Sequence, residues 1–145
     1  MAERNVPILK SLGIEVGTKA YHTKTITEAD VLSFADVSGD FNPVHMSEEF
    51  ARKTSFGGRI VHGVLILGLI SAAIAKLPGL AVYMSQTATF LKPVRIGDSI
   101  TATAEVIDTD DIKGIIQVRT ICMNTNNETI VDGEARIKIF QQPSL

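Results

Sequence analysis

The chain has 145 residues, 45% of them hydrophobic and 21% charged, with a net charge of −2. That length suits one domain able to bury a core without staples, and the charge, with no basic aromatic run, argues against nucleic acid as a partner. The single cysteine, Cys122, excludes an internal disulfide; in an apolar strand pattern it reads as a small buried hydrophobe, suited to a reducing compartment.

Met1 to Lys10 is too polar for a signal peptide, and the lead-in ends in a turn at Glu15-Val16-Gly17-Thr18. Lys19 to Thr25 alternates as a strand. Thr27 is an N-cap residue followed by Glu28 and Asp30, and Val31, Phe34 and Val37 recur at helical spacing until Gly39 ends the helix. A loop from Asp40 to His45 follows. Ser47 is a second N-cap, with Glu48 and Glu49 in the first turn and Phe50 and Ala51 expected to face inward. Thr54-Ser55-Phe56-Gly57-Gly58 breaks this short helix.

The longest apolar stretch, Ile60 to Ala75, is too short to span a membrane. From Gly63 to Leu77 it is apolar on nearly every face, which predicts a helix surrounded by protein and stopped by Pro78-Gly79. Strands are predicted over Val82–Leu91, Ser99–Ile107, Ile115–Asn124 and Glu134–Ile139. Their inward faces are Ile100, Ala102, Ala104 and Val106; then Ile116, Val118, Thr120 and Cys122; then Ala135, Ile137 and Ile139. Short connections between consecutive strands predict an antiparallel meander. A sheet curled around one buried helix is an α+β architecture, expected to span residues 1–145 as one domain.

The most informative segment is Ser38-Gly39-Asp40-Phe41-Asn42-Pro43-Val44-His45. On a continuous helix, five residues would set Asp40 and His45 about 140° apart. Pro43 rules that helix out, and Gly39 with Asn42-Pro43 marks a bend that can bring the two side chains together. A carboxylate and an imidazole on one rigid loop are what proton transfer requires. Asp, Asn, Gly, Ser and Pro are equally the ordinary residues of surface turns, so the loop alone leaves a structural role open.

This segment resembles the hydratase-2 motif of the MaoC-like family, whose best-known members are (R)-specific enoyl-CoA hydratases. Phe34, the block from Ser38 to His45, and Ala51 carry the match, with a second block at Ile60-Val61-His62-Gly63-Val64-Leu65. The resemblance runs from about Thr27 to Ala135 and is specific in the first block. It implies a hot-dog fold, a long helix wrapped by an antiparallel sheet and usually paired into dimers or dimers of dimers. It implies that Asp40 and His45 are the catalytic pair, that the Gly63 N–H binds the thioester oxygen, and that Ser71 supports the pair.

The residues read alone give Gly63 two roles, a helix start or an oxyanion donor, and leave Asn42 between bonding the loop backbone and bonding water. His62 reads as a helix-terminal structural histidine. The three histidines lack metal-ligand spacing, so neither metal nor organic cofactor is expected. Coenzyme A phosphates have four candidate partners in Lys53, Arg59, Lys92 and Arg95. The expected reaction is hydration of trans-2-enoyl-CoA to (R)-3-hydroxyacyl-CoA, in the cytoplasm or an organelle matrix. Many thioesterases and short carrier-protein dehydratases of the same architecture place a carboxylate on the central helix, and Val64–Ala75 contains none. The remaining rivals are a 3-hydroxyacyl carrier-protein dehydratase with the same motif and a non-catalytic acyl-binding subunit. Retention of both Asp40 and His45 argues against the last.

Overall fold

The computed structural model describes residues 6–144. A single helical turn, α1 (Ile8–Ser11), opens the described chain. It was not expected from sequence, because its one anchor is the fully buried Leu9 and four residues show no periodicity. The strands are β1 (Lys19–Thr25), β2 (Leu80–Gln86), β3 (Thr89–Phe90), β4 (Ser99–Asp110), β5 (Ile115–Met123) and β6 (Thr129–Phe140). They form one antiparallel sheet in the order β1-β4-β5-β6-β2, with β3 also pairing to β6.

The meander holds for β4, β5 and β6 only; β2 pairs with the last strand, not with the next one in sequence. The predicted strand Val82–Leu91 is also two strands. The break at Thr87-Ala88 is caused by β6. The Thr87 N–H donates to the Glu134 carbonyl at 2.8 Å, and the Thr87 carbonyl lies over Gly133, where an added Cβ would sit 1.9 Å from it. Only glycine permits that approach.

The long helix, α5 (Gly63–Ile74), packs Ile66, Leu69, Ile70, Ala73 and Ile74 against the sheet. Facing it are the predicted inward positions of β4, β5 and β6, all buried. Each such Ile or Val contributes about 1.5–3 kcal/mol by leaving water. Buried Thr120 is satisfied by a 2.8 Å hydrogen bond from Gln86 Nε2. Cys122 is fully buried, and burial pushes its thiol up to about 12, so it behaves as the small hydrophobe expected. The result is the hot-dog arrangement.

The expectation that α5 is surrounded by protein is met by this chain on one side only. Val64 is 60% exposed, and Gly68 and Ser71 on the same face are exposed too. The chain itself covers only one side of its apolar helix. Gly68 has open space, not a packing neighbour, where a side chain would stand.

Three short helices lead up to α5. In α2 (Glu28–Ser38), Thr27 and Asp30 form a reciprocal capping box, and Gly39 closes the helix at φ 80°. Val31 and Ala35 face the core, whereas Val37 is 83% exposed, so the buried stripe follows the i, i+4 row. Ser47 caps α4 (Glu48–Arg52) as expected; Ala51 is buried but Phe50 is not. Between them lies α3 (Pro43–Met46), treated next.

Candidate active site

The Asp40–His45 segment is half loop and half helical turn. Pro43 starts α3 at its first position, where a missing N–H costs nothing, and His45 sits inside that turn. Proline excludes a continuous helix through the motif, as predicted, and at the same time begins a new one. Asn42 is its N-cap: Oδ1 accepts from the Val44 N–H at 3.3 Å, so the side chain is engaged with loop backbone. Asp40 Oδ1 accepts from the Asn42 N–H at 3.1 Å, and the Asp40 N–H donates to Ser38 Oγ. Two local turns therefore hold the aspartate before any substrate arrives.

His45 is buried, and its Nδ1 lies 2.8 Å from the carbonyl oxygen of Ile60. A carbonyl only accepts, so Nδ1 carries the hydrogen and Nε2 presents a lone pair. The carbonyl of His45 is held in turn by Arg59 Nε at 2.6 Å, while Arg59 Nη1 pairs with Glu28 at 2.7 Å. Side chain and backbone of His45 are thus fixed by adjacent residues of the strand-like stretch that enters α5.

His62 joins this pair. A carboxylate oxygen of Asp40, a ring nitrogen of His45 and a ring nitrogen of His62 all lie within 4.8 Å of one another. Sequence spacing missed this, because residues 40, 45 and 62 meet only through the tertiary fold. These are donors of a kind metals take, and the expectation of no metal rested on linear spacing, which cannot see such convergence. Hydrogen bonds already occupy His45 Nδ1 and His62 Nε2.

His45 and Gly63 both line a cavity of about 500 Å³, walled by Phe56, Val64, Phe90, Leu91 and Val131 among others. Its wall is mainly apolar, with Lys92 at its rim. The Gly63 N–H, first in α5, has no hydrogen-bond acceptor among the described residues. An added Cβ at Gly63 would lie 2.8 Å from the Phe90 ring. The glycine is what lets the aromatic wall close on the helix start.

Ser71 is not at this site within one chain. Eight residues beyond Gly63, about 12 Å along the axis, it lines a second cavity of about 380 Å³ between α5 and β2, with Gly68, Tyr83, Met84 and Gln86. The candidate phosphate partners also separate. Arg95 is spent on the carbonyls of Phe56 and Gly58, and Arg59 on Glu28 and His45. Lys92 pairs with Glu128, and Lys53 is exposed without an ion-pair partner among the described residues.

The model of the MaoC like domain matches residues 12–130. The chain belongs to the MaoC-like family. It is 43% identical over 128 residues to a 3-hydroxybutyryl-CoA dehydratase of Methylorubrum extorquens, covering 87% of this chain and 81% of that one. It is 41% identical to an (R)-specific enoyl-CoA hydratase of Rhodospirillum rubrum, covering 87% and 88%. Among solved structures, an (R)-hydratase from Aeromonas caviae involved in PHA biosynthesis superposes with a TM-score of 0.84 at 38% identity, over 88% of this chain and 98% of that one. Family members of this similarity share the hot-dog architecture found here.

Proposed function

We propose that this chain is an (R)-specific enoyl-CoA hydratase, one hot-dog domain that adds water to trans-2-enoyl-CoA and releases (R)-3-hydroxyacyl-CoA. The observation that carries the reading is an Asp40 carboxylate oxygen within 4.8 Å of a ring nitrogen of His45, which shares a mainly apolar cavity with Gly63, whose N–H has no acceptor among the described residues. Relatives named as hydratases and dehydratases of such thioesters support it.

In the reaction, the water oxygen bonds to C3 as a base takes one of its protons, and the C2=C3 π pair moves toward the thioester carbonyl. The resulting enolate returns its electron pair to C2, which takes up a proton. Asp40 engages the water and His45 shares and returns the proton. The Gly63 N–H, at the positive end of α5, donates to the enolate oxygen. Asn42 holds the loop, and Lys53, exposed without an ion-pair partner among the described residues, is the cation left for coenzyme A phosphates, with cavity-lining Lys92 available only by giving up Glu128. The apolar walls at Phe56, Phe90 and Leu91 take the acyl chain.

The active unit is a homodimer, as a single pair or a pair of pairs. Edge strand β2 exposes Leu80, Val82, Tyr83 and Met84, and α5 exposes Val64, Gly68 and Ser71 beside it. An unpaired apolar edge beside an uncovered apolar helix face favours pairing with a like edge. Ser71 lies on this exposed face of α5, so in the proposed pair its supporting role is exercised across the seam. Sedimentation showing only monomer would remove this part. No helix among the described residues is long and apolar enough to cross a membrane; the cytoplasm is the proposed compartment, and polyhydroxyalkanoate precursor supply or fatty-acid metabolism the setting.

The deciding assay follows the enoyl ultraviolet absorbance of crotonyl-CoA mixed with purified protein, with chiral analysis of the product. Rapid loss with (R) product is expected. Turnover of only 3-hydroxyacyl carrier-protein thioesters would shift the assignment to the dehydratase, and no turnover of any enoyl or 3-hydroxyacyl thioester would leave an acyl-binding subunit.

A further inference from the structure

His62 is 1% exposed and touches both members of the acid–base pair. Its Nε2 lies 3.0 Å from the backbone carbonyl of Asp40. That oxygen only accepts, so Nε2 carries the hydrogen and donates it. The ring packs on the His45 ring with centroids 4.1 Å apart and planes inclined at 36°. Phe34 closes the other side, with centroids 4.7 Å apart. The remaining nitrogen, Nδ1, is buried and has no partner among the described residues.

A helix N-cap usually presents a small oxygen acceptor to the first turn. His62 occupies the N-cap of α5 and makes no such bond. A large imidazole there, with one buried nitrogen lacking a partner among the described residues, is poorly explained by helix capping. It is explained by what the ring holds. The Asp40 peptide is pinned by the Nε2–H, and the His45 ring is backed by the imidazole face.

We infer that His62 is a positioning residue for the acid–base pair, acting chiefly by holding the Asp40 backbone through its Nε2–H, with the ring contact to His45 a lesser support. This rests on the hydratase reading for its kinetic consequence but not for its geometry. His62 is bonded to the next residue, Gly63, which lines the cavity and whose N–H has no acceptor among the described residues. One dipeptide therefore sets the distance between the proton-transfer groups and the oxyanion donor. A displacement of about 1 Å between such groups can cost on the order of 100-fold in rate.

Two substitutions separate the roles. His62→Phe keeps a ring of similar size and removes the donor. His62→Gln keeps an N–H donor at the reach of Nε2 and removes the ring. With crotonyl-CoA, His62→Phe should lower kcat by about 10–100-fold with KM changed less than about threefold, and His62→Gln should recover most of that loss. Wild-type kcat in His62→Phe, or equal losses in both variants, would overturn the inference. Long-range nitrogen–proton NMR on the wild-type protein provides a readout independent of turnover and of how the variants fold. It should show the hydrogen on Nε2 of His62 and on Nδ1 of His45. The opposite tautomer at His62 would overturn the positioning role even if the protein proved inactive on enoyl thioesters. The expected tautomers without turnover would keep that role and remove the hydratase assignment instead.

Discussion

Arg59 donates from Nε to the backbone carbonyl of His45 at 2.6 Å, and the next residue, Ile60, accepts from the side chain of the same histidine at 2.8 Å. Neighbouring residues thus hold this histidine once by its backbone and once by its side chain. Arg59 is largely buried, and its second arm reaches Glu28 at the start of α2. Arg59→Met should lower stability by about 1–3 kcal/mol, the scale of a lost charge-assisted hydrogen bond, and should lower kcat more than KM. Arg59→Lys should rescue little, because one ammonium cannot reproduce the planar fork. Urea unfolding and steady-state kinetics on the same preparations check both.

The proposed pair carries a sharper expectation. Asp40→Asn and His45→Gln should each reduce kcat by about 10²–10⁴-fold, and the double variant should lose little beyond the worse single, since the two groups act as one unit. Circular dichroism should be unchanged. Full activity in either single variant would remove that residue from the chemistry.

Gly63 and Phe90 form a steric pair that a double-mutant cycle can test. In Gly63→Ala, the new methyl meets the Phe90 ring at 2.8 Å, and the ring has to swing. Loss of kcat/KM by about 10²-fold is expected if the helix start or its N–H is displaced. Gly63→Ala combined with Phe90→Ala should be more active than Gly63→Ala alone. Additive losses would mean that the methyl acts on the substrate and not on the ring.

The capping box of α2 has a pH signature. The Thr27 N–H, with Lys24 adding to it, holds the Asp30 carboxyl below its ordinary value of 3.8 against a smaller opposing effect of burial. A carboxyl lowered by folding stabilises the native state above its unfolded value, and that stability is lost as pH falls through the folded value. Wild-type stability should therefore decline in acid from about pH 4.5 downward more than that of Asp30→Asn. Near neutrality the variant should be the less stable of the two, by about 1 kcal/mol or less. Denaturant midpoints measured from pH 2 to 7 would show the two curves converging at the acid end.

The inward faces of β4, β5 and β6 were legible because alternation is local, and Ile100 to Val106 or Ile116 to Cys122 display it without help from the rest of the chain. The caps at Thr27 and Ser47 were legible for the same reason. Long-range features were not. The break between β2 and β3 is dictated by Gly133, more than forty positions away in sequence, and nothing around Thr87 announces it. The open face of α5 was hidden because Val64, Gly68 and Ser71 look no different whether covered by their own sheet or by another copy. At the site, Asp40 and His45 were visible as a loop pair. His62 was legible as a helix-terminal histidine, but its contacts span residues 34 to 62 and were not, and Arg59 was grouped with the candidate phosphate partners because burial cannot be read from residue type alone.

The stretch 59–63 supplies Arg59 to one carbonyl, the Ile60 carbonyl to one imidazole, the His62 ring to the loop, and Gly63 to the cavity wall. The proposed reacting side chains belong to one peptide and the groups that hold them to another. Grafting only the Asp40–His45 loop onto a related but inactive scaffold should therefore yield a folded protein with no turnover. Transplanting both peptides together should carry the activity across, so that any lineage inheriting this chemistry has to inherit the two as a unit.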